Sequence, residues 1–244
     1  MSRIPLILVP GLGADKRLWQ PVVDRLVDVV NPIAATCEGD SIAAWADEIL
    51  ADAPDGFYIA GTSMGGYVAL EVALRGDDRM AGLILLNTNA HSASAQQRER
   101  GAGLIDEARG GRFDQVVDKL AGFVSGGKLE LAESVAVMAR DAGADAFVRQ
   151  QRAVLARHDR RAELPRIGAP TLVIAGDEDR VSPPSVNNEI ARLIPTAELE
   201  IFACGHLSTL EAPSEVAEKI GQWLAVQEAA PARARRRAVR SPSM

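Results

Sequence analysis

Phe57-Tyr58-Ile59-Ala60-Gly61-Thr62-Ser63-Met64-Gly65-Gly66-Tyr67-Val68-Ala69-Leu70-Glu71-Val72-Ala73-Leu74 is the stretch on which the rest of the chain turns. Phe57 to Ala60 is a short apolar run of the kind buried in a sheet, and Tyr67 to Leu74 carries apolar residues at helical spacing. A Gly-x-Ser-x-Gly between a strand and a helix describes a nucleophile elbow. The turn is tight enough to force the serine into a strained backbone conformation, and small residues two before and two after it let strand and helix approach. Gly61 and Gly65 hold those positions, and Gly66 permits still closer packing. Ser63 would then stand at the end of the sheet, at a helix N-terminus whose dipole favours negative charge. The pentapeptide alone recurs by accident in loops, so its meaning rests on its surroundings and partners.

Working outward toward the N-terminus, Ile4 to Val9 is an unalternating apolar run, the mark of a strand buried on both faces of a parallel sheet. Pro10-Gly11-Leu12-Gly13 ends it in a turn. Asp15 is placed to cap a helix running to about Val27, with Trp19, Val22, Val23 and Leu26 on one face. A second strand is expected from about Val29 to Ala35. Ser41 caps a helix to about Ala51, and Pro54-Asp55-Gly56 turns the chain into the strand before Ser63. Beyond the elbow helix, Arg75-Gly76-Asp77-Asp78 breaks the pattern and Gly82 to Leu86 is another buried strand. Strand and helix thus alternate, which argues a parallel sheet of about six strands with helices on both faces. Ligands belong at the carboxyl ends of such strands, where Pro10 to Gly13, Ser63 and Asn87 to Ala90 all fall.

The alternation stops from about residue 88 to 164, a stretch that is helical, amphipathic and rich in Ala, Arg, Glu and Gln. Glycines at 101, 103, 110, 111, 126 and 127 divide it into about four helices. It reads as a helical cap inserted into an α/β core made of residues 1–87 and 165–228. After Pro170 the alternation resumes. Thr171 to Ala175 is a buried strand, a helix covers about Pro184 to Leu193, and Ala197 to Phe202 is the last strand. A closing amphipathic helix spans Glu211 to Val226, with Val216, Ile220, Trp223 and Leu224 inward. Residues 229–244 have Pro, Ala, Ser and Arg but no apolar face, and read as a disordered tail.

The chain has 244 residues and a net charge of -6. Arg233, Arg235, Arg236, Arg237 and Arg240 lie in the tail, which contains no acid. Taking these five from the 27 basic residues leaves 22 against 33 acidic ones, so the body carries a charge of -11. Such a body is poorly suited to nucleic acid or an anionic membrane. The two cysteines, Cys37 and Cys204, cannot build a disulfide framework and lie in no cluster of metal-ligand spacing. The first apolar run is too short for a signal peptide, and nothing approaches the ~20 apolar residues of a membrane span. The expectation is a cytoplasmic protein with no metal and no cofactor.

A serine hydroxyl needs a base to take its proton, and the base needs an acid to hold its tautomer. His91 and His158 fall in the helical insert and read as surface groups. His206 alone follows a strand end, on the same edge as Ser63. The acid should come from another strand end, where Asp177 and Asp179 both qualify. Cys204 reads as a small buried residue.

Three stretches in order, Gly61-Thr62-Ser63-Met64-Gly65-Gly66, Gly176-x-x-Asp179-x-x-x-Pro183 and Gly205-His206-x-x-x-x-Glu211-x-Pro213, make the chain resemble an α/β-hydrolase over residues 3–87 and 165–226. The resemblance implies the α/β-hydrolase fold and selects Asp179, three residues after the glycine, over Asp177. It further implies an oxyanion hole built from the backbone N–H groups of Met64 and Leu12. The loop here is Pro10-Gly11-Leu12 where the family usually has His-Gly-x, and with the first strand beginning at residue 3 the expectation is a sheet without the antiparallel hairpin that often precedes that strand in the family. The implied activity is that of a serine hydrolase with Ser63, His206 and Asp179 as its triad, cleaving a carboxylic ester through an acyl-enzyme. Its partner would be a small-molecule acyl substrate. Relatives with an aspartate at the elbow, such as haloalkane dehalogenases and epoxide hydrolases, do not match Ser63. Thioesterase, lactonase, C–C bond hydrolase and cofactor-free haloperoxidase or lyase share the same triad, and a ligand-binding protein could keep the fold without turnover.

Overall fold

Every strand of the central sheet runs the same way, in the order β2-β1-β3-β4-β5-β6. The strands are β1 (Ile4–Val9), β2 (Val30–Ala34), β3 (Phe57–Thr62), β4 (Met80–Leu86), β5 (Thr171–Gly176) and β6 (Ala197–Phe202). The computed structural model describes residues 3–35 and 38–229. Cys37 and residues 230–244 therefore lie outside the described residues, and with them the expectations about that cysteine and the arginine-rich tail.

The pleat sorts the apolar runs onto two faces. Ile7, Val9, Phe57, Ile59, Leu83, Leu85 and Val173 point to one side, where α2 (Ile42–Asp52), α3 (Met64–Arg75) and α7 (Pro184–Leu193) supply Trp45, Ile49, Val68, Val72 and Ile190. Leu6, Leu8, Tyr58, Ala60, Ile84, Leu86, Leu172 and Ile174 point to the other. There they meet Trp19, Val22 of α1 (Gln20–Val23), and Val216, Ile220, Trp223 and Leu224 of α9 (Pro213–Ala229). A strand covered on both faces has no use for polar alternation, which is why β1, β3, β4 and β5 read as continuous apolar runs. Tyr58 places its ring edge-on to Trp223, with centroids 5.8 Å apart. The six-stranded α/β architecture read from the sequence is the one observed.

The edges differ from the centre. Pro32 sits in β2, opposite Leu6. The Ala35 N–H donates to the Leu8 carbonyl, so the alternation of the strand turns the nitrogen of Pro32 away from β1. On β6, Glu198 and Glu200 lie near Lys219, whose Nζ is 3.0 Å from Glu200.

Several boundaries move. The expected helix from Asp15 to Val27 is instead a 3-10 turn at Lys16–Leu18, capped by Asp15, followed by the single turn of α1. Trp19, Val22 and Leu26 are still buried. The closing helix is α9, which starts at Pro213 and not at Glu211; a separate turn, α8 (Ser208–Glu211), precedes it, and Pro213, with no N–H to carry α8 onward, begins the new helix. α9 runs to Ala229, the residue at which the tail is expected to start and three beyond the expected helix end at Val226.

Between β4 and β5 lie α4 (Ala95–Arg109), α5 (Phe113–Val124) and α6 (Leu129–Ala156). Gly143, at φ 84°, breaks α6 into two segments. Gly101 and Gly103 do not interrupt α4; at Gly101 an added Cβ would press within 2.7 Å of Leu155 on α6. The three helices share apolar clusters of their own, and meet the core through Leu12, Leu18 and Leu207.

Candidate active site

β3 leads into α3 through a single residue, Ser63, at φ 53° and ψ -116°. An L-residue is held there only by its surroundings. The Ser63 N–H donates to the Leu86 carbonyl (3.0 Å), and its own carbonyl accepts from Thr88 Oγ1 (2.8 Å). At Gly61 an added Cβ would run into the backbone of Gly65, and at Gly65 into the carbonyl of Val9. The two glycines are the condition for strand, turn and helix to fit together.

His206 and Asp179 reach the serine from two other loops at the same edge. Ser63 Oγ lies 3.0 Å from His206 Nε2, and His206 Nδ1 lies 2.8 Å from Asp179 Oδ2. A carboxylate only accepts, so the proton belongs on Nδ1, which leaves Nε2 to accept from the serine hydroxyl. His206 and Asp179 are 5% and 3% exposed, whereas Ser63 is partly open. The other oxygen of Asp179, Oδ1, accepts the N–H groups of Val181 (2.7 Å) and Ser182 (2.9 Å). The structure therefore brings Ser63, His206 and Asp179 together, whereas Asp177, two residues earlier, is exposed.

The loop carrying His206 is clamped from both sides. Glu211 accepts the N–H of Gly205 on Oε2 and that of Leu207 on Oε1, each at 3.0 Å. Its carboxylate also pairs with Lys128 (2.5 Å), a contact that raises the lysine above its ordinary value. Burial pushes the Cys204 thiol up to about 12, with Glu211 and Asp177 adding to the effect. A thiol so held is a poor nucleophile.

The turn after β1 stands against the elbow: an added Cβ on Gly11 would lie 3.5 Å from Ser63 Cβ. Leu12 follows in that turn. The next residue, Gly13, donates its N–H to Gln150 Oε1 on α6 at 2.8 Å. Met64 is the first residue of α3, so its N–H has no partner within the helix. Beside them a cavity of about 320 Å³ opens at the ends of β1 and β2, lined by Leu8, Pro10, Ala34, Ala35, Met64 and Gln150. A smaller one, about 90 Å³, lies away from the triad, between Tyr67, His91 and Arg157. His91 is partly exposed and paired with Glu189 (2.5 Å), and His158 is exposed. Among the described residues no group of three or more His, Cys, Asp and Glu side chains is arranged to hold a metal ion. Nor is any helix among them long and apolar enough to cross a membrane.

The sequence reading left three contributors unassigned. Asn87, Ser208 and Gln150 each hydrogen-bond to part of this site. Asn87 carried a faint signal, as the first polar residue after the Leu83–Leu86 run. Gln150 carried none, because nothing in a helical insert marks which polar side chain turns inward.

Residues 6–219 match the model of a family described as "Alpha/beta hydrolase family". A pimeloyl-[acyl-carrier protein] methyl ester esterase from Aromatoleum aromaticum is 27% identical over 241 residues, covering 89% of this chain and 96% of the relative. The solved structure of a thermophilic esterase from Thermogutta terrifontis superposes with a TM-score of 0.84 at 26% identity, over 93% of this chain and 91% of that one. An enol-lactonase from Burkholderia xenovorans LB400 superposes with a TM-score of 0.82 at 21% identity, over 92% of each chain, a likeness of fold.

Proposed function

The chain belongs to the alpha/beta hydrolase family, and from that premise we propose that it is a serine hydrolase of carboxylic esters, with Ser63 as nucleophile, His206 as base and Asp179 as the acid behind the base. The observation that carries the reading is the line of contacts from Ser63 Oγ to His206 Nε2 (3.0 Å) and from His206 Nδ1 to Asp179 Oδ2 (2.8 Å).

His206 takes the hydroxyl proton as Ser63 Oγ attacks the ester carbonyl, and Asp179 stabilises the imidazolium that forms. The N–H groups of Leu12 and Met64 receive the tetrahedral oxyanion, aided by the positive end of the α3 dipole. Proton return from His206 to the leaving alkoxide releases the alcohol and leaves an acyl-enzyme. Water, deprotonated by His206, then attacks the acyl carbonyl; collapse returns the serine and frees the acid. No step calls for a cofactor or a metal. The substrate is a small to medium acyl compound held between the sheet edge and the 88–164 cap. The cavity beside Pro10 and Met64 supports that size. A cytoplasmic location is part of the reading and draws on the sparse cysteine content; fractionation of the host cell tests it.

The deciding experiment is hydrolysis of p-nitrophenyl esters across acyl lengths by the parent and Ser63→Ala, with mass spectrometry after a fluorophosphonate probe. Turnover falling by about four to six orders of magnitude in the variant, with the probe on Ser63, is the expected result. Labelling without ester turnover would move thioesters, lactones and C–C substrates forward. Absence of both labelling and turnover in folded protein would overturn the enzyme reading and favour a ligand-binding one.

A further inference from the structure

Asn87 lies directly after β4, fully buried, at φ 49°. Asparagine tolerates that left-handed conformation better than most residues. Its backbone N–H is taken by the Ile174 carbonyl (2.9 Å). Its side chain spans the site. Nδ2 donates to Asp179 Oδ2 (3.1 Å) and to the Gly205 carbonyl (3.2 Å), while Oδ1 accepts from Ser208 Oγ (2.5 Å). The amide can face only one way. Asp179 and the Gly205 carbonyl offer no proton, so the NH2 group must turn to them, and the Ser208 hydroxyl then meets the oxygen.

The contacts of Asp179 give this its weight. Oδ1 receives two backbone N–H groups, and Oδ2 receives His206 Nδ1 and Asn87 Nδ2. All four acceptor positions of the carboxylate are then filled, and rotation about its terminal bond would break several bonds together. The second proton of the amide reaches Gly205, the residue before His206. One neutral side chain therefore fixes both the acid and the chain that carries the base. Glycine would accept the backbone angle but has no donor to offer.

Resting on the serine-hydrolase reading above, we propose that Asn87 is a positioning residue of the triad. Its amide locks the rotation of Asp179 and the approach of His206, and Ser208 sets which end of that amide faces them.

Asn87→Gly removes the amide without backbone strain, and Ser208→Ala removes only the group that orients it. The test measures the rate of fluorophosphonate labelling at Ser63, kcat and KM on a p-nitrophenyl ester, the melting temperature, and the proton NMR signal of His206 Nδ1–H. The expected result for Asn87→Gly is labelling and kcat about 10–100-fold lower, with KM within about twofold. Ser208→Ala should lose about 3–10-fold in the same two rates. In both, the Nδ1–H signal should move upfield or broaden as the bond to Asp179 loosens. A merely structural role predicts a lower melting temperature with unchanged labelling per folded molecule and an unmoved signal, and that result overturns the proposal. If Asn87→Gly does not fold, Ser208→Ala decides by itself. An unlabelled parent would overturn the hydrolase reading, and the NMR signal, which needs no substrate, would still decide for or against Asn87.

Discussion

Replacing Glu211 should loosen the loop that holds His206. Its side chain is only 5% exposed, and it accepts the two N–H groups that bracket the histidine. Glu211→Ala leaves both donors without their acceptor. Hydrogen bonds to a charged group contribute roughly 1.5–3 kcal/mol each, and relief from burying a carboxylate offsets part of that. Lys128, half exposed, returns to water at little cost. The net expectation is about 3 kcal/mol, a fall in melting temperature of about 6–12 °C for a chain of this size. Glu211→Gln keeps the shape and one acceptor but turns an NH2 toward the other N–H, so it should lose roughly half as much. Thermal unfolding of parent and both variants, followed by circular dichroism, measures this. Fluorophosphonate labelling of the folded variants should also slow by about tenfold, because His206 sits between the two released amides. Both variants melting within about 1 °C of the parent would show that the carboxylate does not hold the loop, and would refute the reasoning.

Other tests reach different parts of the molecule. Gln150→Leu removes the acceptor for the Gly13 N–H; kcat should fall about tenfold as the Leu12 turn loosens, while Gln150→Glu, which keeps an acceptor, should lose less. Cys204 is 2% exposed, with its thiol pushed up to about 12 by burial, so iodoacetamide at about pH 8 should leave the Cys204 peptide unmodified in folded protein and modify it in denaturant. Hydrogen bonds from Arg79 hold Asp77 below the ordinary carboxylate range, while the same guanidinium caps the carbonyls of Leu50 and Ala53. A value depressed in the fold stabilises above the unfolded value near 3.9 and is lost as pH falls through the folded one. Asp77→Asn should therefore flatten the decline of melting temperature below about pH 4, and an unchanged decline would count against the pair.

Legibility tracked physical cause. β1, β3, β4 and β5 could be read because burial on both faces forces a continuous apolar run, and that condition is visible residue by residue. Ser63 could be read because the elbow tolerates nothing larger than glycine at Gly61 and Gly65. The segment after β1 reads as one long helix but is not, because its apolar spacing persists through Leu26 while its hydrogen bonds form only a 3-10 turn and a single helical turn. Asp177 and Asp179 were equal on sequence position alone. What separates them is a backbone turn that aims the N–H groups of Val181 and Ser182 at one carboxylate and leaves the other in solvent. Asn87 and Gln150 act through contacts across 92 and 137 residues of chain, and no local pattern reports a contact of that range.

An open sheet also ends in two rows of peptide groups that a strand from another molecule could extend. Here each row is spoiled in its own way. The outward nitrogen of Pro32 deprives the β2 side of a donor where an incoming strand would seek one. On the β6 side an incoming strand would have to settle against Glu198 and Glu200, with Lys219 already engaged beside them. A sheet whose interior is among the most apolar parts of the chain is thereby kept from growing into an aggregate through its ends, and a Pro32→Val exchange, which would strengthen the strand, would reopen one of them.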